Sequence, residues 1–370
     1  MSSAGATLQG SFSGATGEIY ETGFEYATTQ GALDGTADCV YDSTNIGNVA
    51  SGSITASVSG LAGGTTYYYR AFVAEYNQST GNYDYRYGSV RSFTTSASQG
   101  YPAAGWLELP ANTGAADYVG TFYGSGGDTE ENRNYTYNYS YTYYASLWVA
   151  YPLTGAHKTG SADDKNWNYN PDIPNSRQVS ITSNSYGTMY GNNAYSRGHQ
   201  CPAASRKSDD TMFSQTYYAT NQTPQLQDKF NASIWSSLEN AVRGLVSSES
   251  DIVYVVTGPA YRKAGGSETI NYLTGAAGKN ANPAQLPIAN YYWKAILKVK
   301  KNGAGLITSA QTVGFWFDHK EYEKGDSYTN YTVSVNQIEE WTGFDLFANL
   351  PDELEETSET NTSWTAFQSF

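Results

Sequence analysis

Residues 134–144 read NYTYNYSYTYY, with tyrosine at every second position from 135 to 143. Successive side chains of an extended chain point to opposite faces, so this period commits the segment to a strand with one tyrosine face. A helix would scatter the same rings around its circumference. Such a face can serve as a stacking platform for bases or sugars. The expectation here is the plainer one, a half-buried strand at the edge of a domain. The same period recurs at 54–60 (ITASVSG) and, after a Gly-Gly turn, at 61–76. There Tyr67, Tyr69, Ala71 and Val73 share one face, and Tyr68, Arg70 and Phe72 the other. With 34 tyrosines and 37 glycines, the chain has the residues that strands and turns favour,.

The first hundred residues therefore read as short strands separated by turns. Leu61-x-Gly63-x-Thr65-x-Tyr67 resembles the corner of a fibronectin type III module at which a tyrosine hydroxyl ties back to the chain,. YGSVRSFTT at 87–95 is similar to that module's last strand, and ETGFEYATT at 21–29 to an early strand of modules attached to secreted bacterial enzymes. SASQGYPAA at 96–104 is small, polar and proline-bearing, as linkers are,. This divides the chain into a fibronectin-III-like sandwich at 1–97, a linker at 98–104 and a second domain at 105–370.

The net charge of −14 excludes a binder that holds nucleic acid by a broad basic field,. It does not exclude an enzyme that handles phosphate in one local pocket. Residues 1–100 hold eight acids and three bases, and the remainder 27 and 18, so both parts are acidic. No run of 18 apolar residues is present, and no membrane span is expected. The composition suggests an exported protein, periplasmic, cell-surface or extracellular. Because MSSAGATLQG has neither basic residues nor an apolar core, that expectation includes a leader already removed and Met1 added for expression. Cys39 and Cys201 lie in different predicted domains, so no disulfide between them is expected,.

Beyond residue 144, ASLWVAYPL (145–153), DIVYVVTGP (251–259), YYWKAILKVK (291–300), LITSAQTVGFWF (306–317) and YTVSV (331–335) read as strands,. DKFNASIWSSLENAVRGL changes the period, with Phe230, Ile234, Leu238 and Val242 at helical spacing and an end near Gly244,. VNQIEEWTG is a short helix with Ile338 and Trp341 inward. The tail after Pro351 is expected to be helical for a turn or two and then frayed.

Chemistry gathers near one of the three histidines. His199 lies in YSRGHQCPAASR, and histidine is the side chain suited to take a proton near neutral pH,. On the predicted helix Asn231 and Glu239 stand about 80° and roughly 12 Å apart, away from the apolar stripe. That is too far for both to grip one ion. An Asn231 ligand with Glu239 acting through the ion's waters is the more natural arrangement, and oxygen donors of this kind suit a hard cation such as magnesium. Arg243, one turn beyond Glu239, can pair with it or reach a phosphate. His157 and His319 sit among polar residues at strand ends and are expected at the surface. Cys201 is read as structural, and Asp163–Asp164 as a solvated pair beside Lys165.

SRGHQCPAASR, TNQTPQ at 220–225 and FNASIWSSLENAVR at 230–243 together resemble the DNA/RNA non-specific endonuclease family of the ββα-metal (His-Me finger) fold. WVAY, VTGP, YWK and WTGFDLFANLP extend the similarity over roughly 130–352. The resemblance implies an α+β fold, a ββα-metal nuclease domain with a central antiparallel sheet behind the all-β sandwich. It implies hydrolysis of phosphodiester bonds in DNA and RNA with little sequence preference, leaving 5′-phosphates. His199 would be the general base and Asn231 the direct ligand of one Mg2+, for which Mn2+ can substitute, with Glu239 ordering its waters. Arg197 and Arg243 would steady the motif and bind phosphate, and Asn221 would position the histidine or the ion-bearing helix. Lys165 stands where the family has an arginine, keeping charge but losing the bidentate fork.

Ser196 departs from the family's Asp, and reduced or retuned activity is expected from it. Two other readings compete. One is a catalytically weakened homologue acting as a surface binding or adhesion protein, its first module touching glycans or proteins. The other is a more selective nucleic-acid phosphodiesterase.

Overall fold

The structure is a computed structural model, and it describes residues 5–59, 61, 65–95, 105–111, 116–181, 186–248, 251–323 and 325–370. The chain divides into two compact units, Met1–Gly100 and Tyr101–Phe370. The expected linker at 98–104 and Gly63 of the tyrosine corner lie outside the described residues.

The first unit contains β1 (Gly5–Ser13), β2 (Ile19–Ala27), β3 (Asp38–Gly47), β4 (Ser51–Ser59), β5 (Thr66–Asn77), β6 (Asn82–Tyr87) and β7 (Arg91–Thr94). All pairings are antiparallel: β1 with β4, and β3-β2-β5-β6 with β7 on the remaining part of β5. Leu8, Ile54 and Val58 of the smaller sheet meet Phe24, Tyr67, Val73 and Phe93 of the larger in one core. The alternation in β5 selects that core face, since Tyr67, Tyr69, Ala71 and Val73 all point into it.

The second unit is built on seven antiparallel strands. In chain order they are β8 (Tyr118–Tyr123), β9 (Arg133–Ser140), β10 (Ala145–Thr154), then β13 (Ile252–Ala260), β16 (Tyr291–Lys301), β17 (Ile307–Asp318) and β18 (Thr332–Val333). Their order in the sheet is β18-β17-β16-β13-β10-β9-β8. Two hairpin-like pairs lie outside it: β11 (Tyr195–His199) with β12 (Gln222–Leu226), and β14 (Asn271–Thr274) with β15 (Gln285–Ile288). The helices are α1 (Gly187–Tyr190), α2 (Asp210–Gln215), α3 (Ser236–Gly244), α4 (Val335–Thr342), α5 (Asp352–Ser358) and α6 (Trp364–Ser369).

Each face of the large sheet carries its own core. On one, Tyr151, Val255, Tyr292 and Phe317 pack beneath Phe230, Ile234, Trp235, Leu238 and Val242. Burying a side chain such as Leu238 contributes about 1.5–3 kcal/mol, which explains why the stripe read from the sequence seats here. On the other, Trp148, Tyr254, Trp293 and Leu297 pack against Ile338, Phe344 and Phe347.

Three expectations change. β9 is neither at the edge nor half-buried: it lies between β8 and β10, and every residue of it is buried. The reason is its hydroxyls. Tyr135 donates to Gln215 O (2.7 Å), Tyr139 to Arg177 O (2.9 Å), and Tyr137 accepts from Asn170 Nδ2 (2.8 Å), so the rings enter the interior with their polar tips satisfied,. The tail is not frayed, because Trp364 and Phe367 of α6 insert into the core beside Phe315. Of the strand expected at 331–335 only Thr332–Val333 forms, since Ser334 caps α4 by accepting from Gln337 N,.

Candidate active site

Between the neighbouring strands β10 and β13 the chain makes an excursion through residues 155–251, and that excursion carries the site. β11 and β12 pair antiparallel with His199 opposite Gln222 and Ser196 opposite Gln225. Gly198 lies against the Gln225 side chain so closely that a Cβ would overlap it, which explains glycine between arginine and histidine. A wide helical turn, Gln227–Trp235, leads into α3. The single helix expected from 231 is therefore broken. Ser233 has non-helical angles (φ −127°, ψ −108°), and its carbonyl accepts from the hydroxyls of Ser236 and Ser237 as well as from the Ser236 backbone N–H,.

The break notwithstanding, Asn231, Glu239 and His199 line one open cleft of about 340 Å³, together with Asp163, Lys165, Lys207 and Tyr217. The His199 ring is held by aromatic contact, 5.1 Å from Trp167 and edge-on to Tyr217 at 4.8 Å. Nε2 is shut from solvent, and the ring has no hydrogen bond among the described residues. Burial pushes its pKa down to about 4, so the imidazole is neutral at pH 7,.

The other two histidines correct the expectation of surface placement. His157 is buried, with Nδ1 accepting from Thr154 N and Nε2 against Glu131 O at 2.7 Å. His319 is half-buried, with Nε2 accepting from Leu226 N and Nδ1 against Ala289 O at 2.9 Å. Burial lowers their pKa values as well, to about 3 and about 4. Only in His199 is the neutral ring uncommitted.

Asn231 lines the cleft and donates through Nδ2 to Ser196 Oγ (2.9 Å) and Gln227 Oε1 (3.3 Å), which leaves Oδ1 without a hydrogen bond among the described residues. Ser196, which in turn donates to Gln225 O, thus orients the amide. Asn221 is wholly buried and does not reach the cleft. Its side chain clamps the chain just after His199, accepting from Cys201 N and donating to Cys201 O and Thr216 O. Cys201 is buried and Cys39 exposed, and both are free.

The two arginines stand differently from their expected places. Arg197 is 4% exposed and does not line the cleft: it donates to Ser180 O (2.9 Å) and lies 5.2 Å from the Trp167 ring. Its planar head fills space behind the ring that flanks His199, so packing rather than solvent access fixes its position. Arg243 donates to Asn240 Oδ1 and is likewise absent from the lining. Lys165 is at the cleft, exposed and paired with Asp163 at 2.7 Å.

Lys294 is a residue that sequence reasoning missed. It alternates with Tyr292 and Ile296 on the face beneath α3, is 0% exposed, and places Nζ 4.8 Å over the Trp235 ring without a hydrogen bond. Burial pushes its pKa down to about 8, opposed by the Glu239 carboxylate. Burial raises the pKa of Glu239, opposed first by Lys294 and then by Arg243. The signal was a lysine inside an apolar strand, which reads as an exposed position until the opposite layer is known. Lys207 was also missed; it donates to Ala162 O at 2.7 Å and supplies the cleft with a second ammonium.

The donor set fits a hard cation held mostly by water. The described residues contain no group of three or more His, Cys, Asp or Glu able to cage an ion, whereas the free Oδ1 of Asn231 and the Glu239 carboxylate share the cleft,.

The family model for DNA/RNA non-specific endonucleases matches residues 112–353. A mitochondrial nuclease of Schizosaccharomyces pombe, Nuclease 1, is 28% identical over 166 residues, covering 44% of this chain and 49% of that protein. A nuclease of a Nostoc species is 28% identical over 58% of this chain and 70% of its own length, and nuclease C1 of Cunninghamella echinulata 25% identical over 61% and 85%. The match thus spans about half of the yeast protein and more than two thirds of the other two. With the matched segment containing β11, β12, α3 and the whole cleft, the chain belongs to the DNA/RNA non-specific endonuclease family and is an endonuclease hydrolase.

Proposed function

We propose that the second unit hydrolyses phosphodiester bonds in both DNA and RNA with little sequence preference, His199 acting as general base. The observation that carries this is the convergence of a neutral, uncommitted imidazole, a free amide oxygen and a carboxylate on one cleft. His199 takes a proton from the attacking water as its oxygen bonds to phosphorus, and the P–O3′ bond breaks to leave a 5′-phosphate and a 3′-oxygen that takes a proton from solvent to become a hydroxyl. Lys165 and Lys207 offset the charge that builds on the phosphoryl oxygens,. Asn231 and Glu239 would hold a magnesium ion, directly and through water, and the ion would supply further charge neutralisation there. Arg197 supports Trp167, and through it the orientation of the histidine ring; Asn221 fixes the chain on the other side of that ring.

Binding proceeds without a basic field. With a net charge of −14, substrate capture rests on the local lysines, so long-range steering contributes little,. We also read the first unit as a fibronectin-III-like sandwich. Its two sheets, the order β3-β2-β5-β6 and the buried Tyr67 at the start of β5 support that reading,. The tyrosine-rich β composition favours a protein that works outside the cytoplasm. No helix among the described residues is long and apolar enough to cross a membrane.

The test is degradation of plasmid DNA and of RNA with magnesium and with chelator. Both polymers should be cut, chelator should stop cleavage, and His199→Ala should lower turnover by about 10²–10⁴-fold. No cleavage by the wild type, or equal cleavage by His199→Ala, overturns the reading and favours a binding protein. Ser196→Asp tests the motif departure: if turnover and magnesium requirement stay unchanged, Ser196 has not retuned the site.

A further inference from the structure

Eight large apolar side chains are exposed among the described residues, and five of them are tyrosines of the first unit: Tyr20, Tyr41, Tyr83, Tyr85 and Tyr87. Their exposures run from 37% to 54%. The strand register puts them on one sheet face, opposite the core. Tyr41, Gly23, Phe72 and Tyr87 form one row across β3, β2, β5 and β6. Glu21, Ala74 and Tyr85 form the next, followed by Tyr76 opposite Tyr83. Tyr20, at the irregularity in β2, closes on Tyr83 with ring centroids 4.6 Å apart. Tyr85 and Tyr87 are near-parallel at 6.3 Å, and Phe72 joins Tyr85 to Tyr41 at 6.0 and 5.9 Å. The small residues Gly23 and Ala74 in the middle let the surrounding rings form a continuous, shallow surface. Monomeric proteins rarely leave such an apolar area open without using it.

We infer that this face is a binding surface for a neutral polysaccharide. Charge decides against the polyanions that the cleft handles. Residues 1–100 contain three arginines, no lysine and eight acids. Arg70, the cation within the face, is taken up by Glu25 (2.9 Å) and Asp34 (3.0 Å) while its guanidinium lies 4.0 Å over Tyr87. Arg86 turns to the other face and pairs with Glu75. The third arginine, Arg91, is exposed but stands opposite Tyr69 in register, on the core face of the sheet, so among the described residues the tyrosine face itself keeps no unpaired cation for phosphates or uronates. A neutral sugar ring, by contrast, presents a flat C–H face to the negative π-face of tyrosine. Its hydroxyls can bond to the tyrosine hydroxyls and to Glu21, which already accepts from Tyr85 (2.6 Å). A platform of several rings on three adjacent rows suits an extended chain rather than a single sugar. This surface belongs to the unit that lacks the cleft, and it goes beyond the nuclease reading.

The experiment is a depletion assay with the full chain on washed cellulose, chitin, insoluble starch, curdlan and mannan, with alginate and with DNA in chelator as anionic controls. At least one neutral polymer should retain the wild type, and 0.5 M sodium chloride should not release it. The Tyr83→Ala/Tyr85→Ala double variant, which removes two rings of the platform, should weaken retention about tenfold or more. Tyr41→Ala, on a different strand, should weaken it too, while Tyr272→Ala, exposed in the other unit, should not. Unchanged thermal melting shows that the variants are folded. Retention on none of the neutral polymers overturns the inference, as does retention only on the anionic ones or equal loss with Tyr272→Ala. A dimer that dissociates on Tyr83→Ala/Tyr85→Ala would assign the face to a second copy and overturn it equally.

Discussion

Two strands of this molecule carry nearly the same pattern, NYTYNYS at 134–140 and NYDYRY at 82–87, and the fold treats them oppositely. In β9 all eight residues are buried; in β6 all six are exposed. Alternation fixes that a segment is a strand and which rings share a face. It does not fix whether the face is covered. That depends on place in the sheet and on whether the hydroxyls find partners. β6 ends its sheet, while β9 is flanked on both sides and crossed by the excursion between β10 and β13. The hydroxyls of Tyr135 and Tyr137 reach Gln215 and Asn170 in that excursion, close in sequence to Tyr217 and Trp167, which flank His199. The buried tyrosines therefore hold the walls of the candidate cleft, and the exposed ones hold nothing internal.

The contrast can be broken most sharply by truncation. Tyr137→Ala should lower stability by about 3–5 kcal/mol, measured by denaturant unfolding, and should take nuclease activity with it. A loss below about 1 kcal/mol would mean that the strand is not the anchor described. Tyr135→Phe keeps the ring but leaves Gln215 O without its donor, and should cost about 1–2 kcal/mol. Alkaline titration sharpens the comparison further. Burial raises the pKa of Tyr135, Tyr137 and Tyr139 above 10. The folded state then binds more protons than the unfolded one above pH 10, so stability should fall as pH rises past that point. Tyr135→Phe should make the fall shallower; an unchanged slope would contradict the burial argument. The smallest effect belongs to β6, where Tyr83→Ala should shift stability by no more than about 0.5 kcal/mol and leave cleavage of a short oligonucleotide unaltered.

Much of the site was readable before any coordinates. The resemblance implied that His199, Asn231 and Glu239 act together, and the structure sets all three on one cleft, with His199 at the end of β11. The apolar run at 251–259 became β13 because continuous hydrophobicity signals a strand covered on both faces, and both cores meet there,. What escaped was set by tertiary contact. The break at Ser233 comes with two serine hydroxyls bonded to its carbonyl, a local contact that periodicity does not register. Arg197, expected to bind phosphate, and Lys294, given no role, are both received inside, by aromatic rings and, for Lys294, the Glu239 carboxylate. His157 and His319 were misplaced for the same reason, since backbone groups distant in sequence satisfy their nitrogens.

The position of the excursion also bears on the order in which the molecule assembles. Pairing Thr154 with Ile252 closes a loop of about a hundred residues, whereas pairing His199 with Gln222 closes one of about twenty,. The longer closure costs about 1 kcal/mol more in chain entropy, before any ordering of what lies inside it. Hairpins within the great sheet, such as Ser140 with Ala145 and Lys301 with Ile307, close shorter loops still, so closure entropy favours those and the histidine hairpin ahead of the β10–β13 seam,. The hairpin that bears His199 would then take its shape before the seam that joins the two halves of the sheet beneath it.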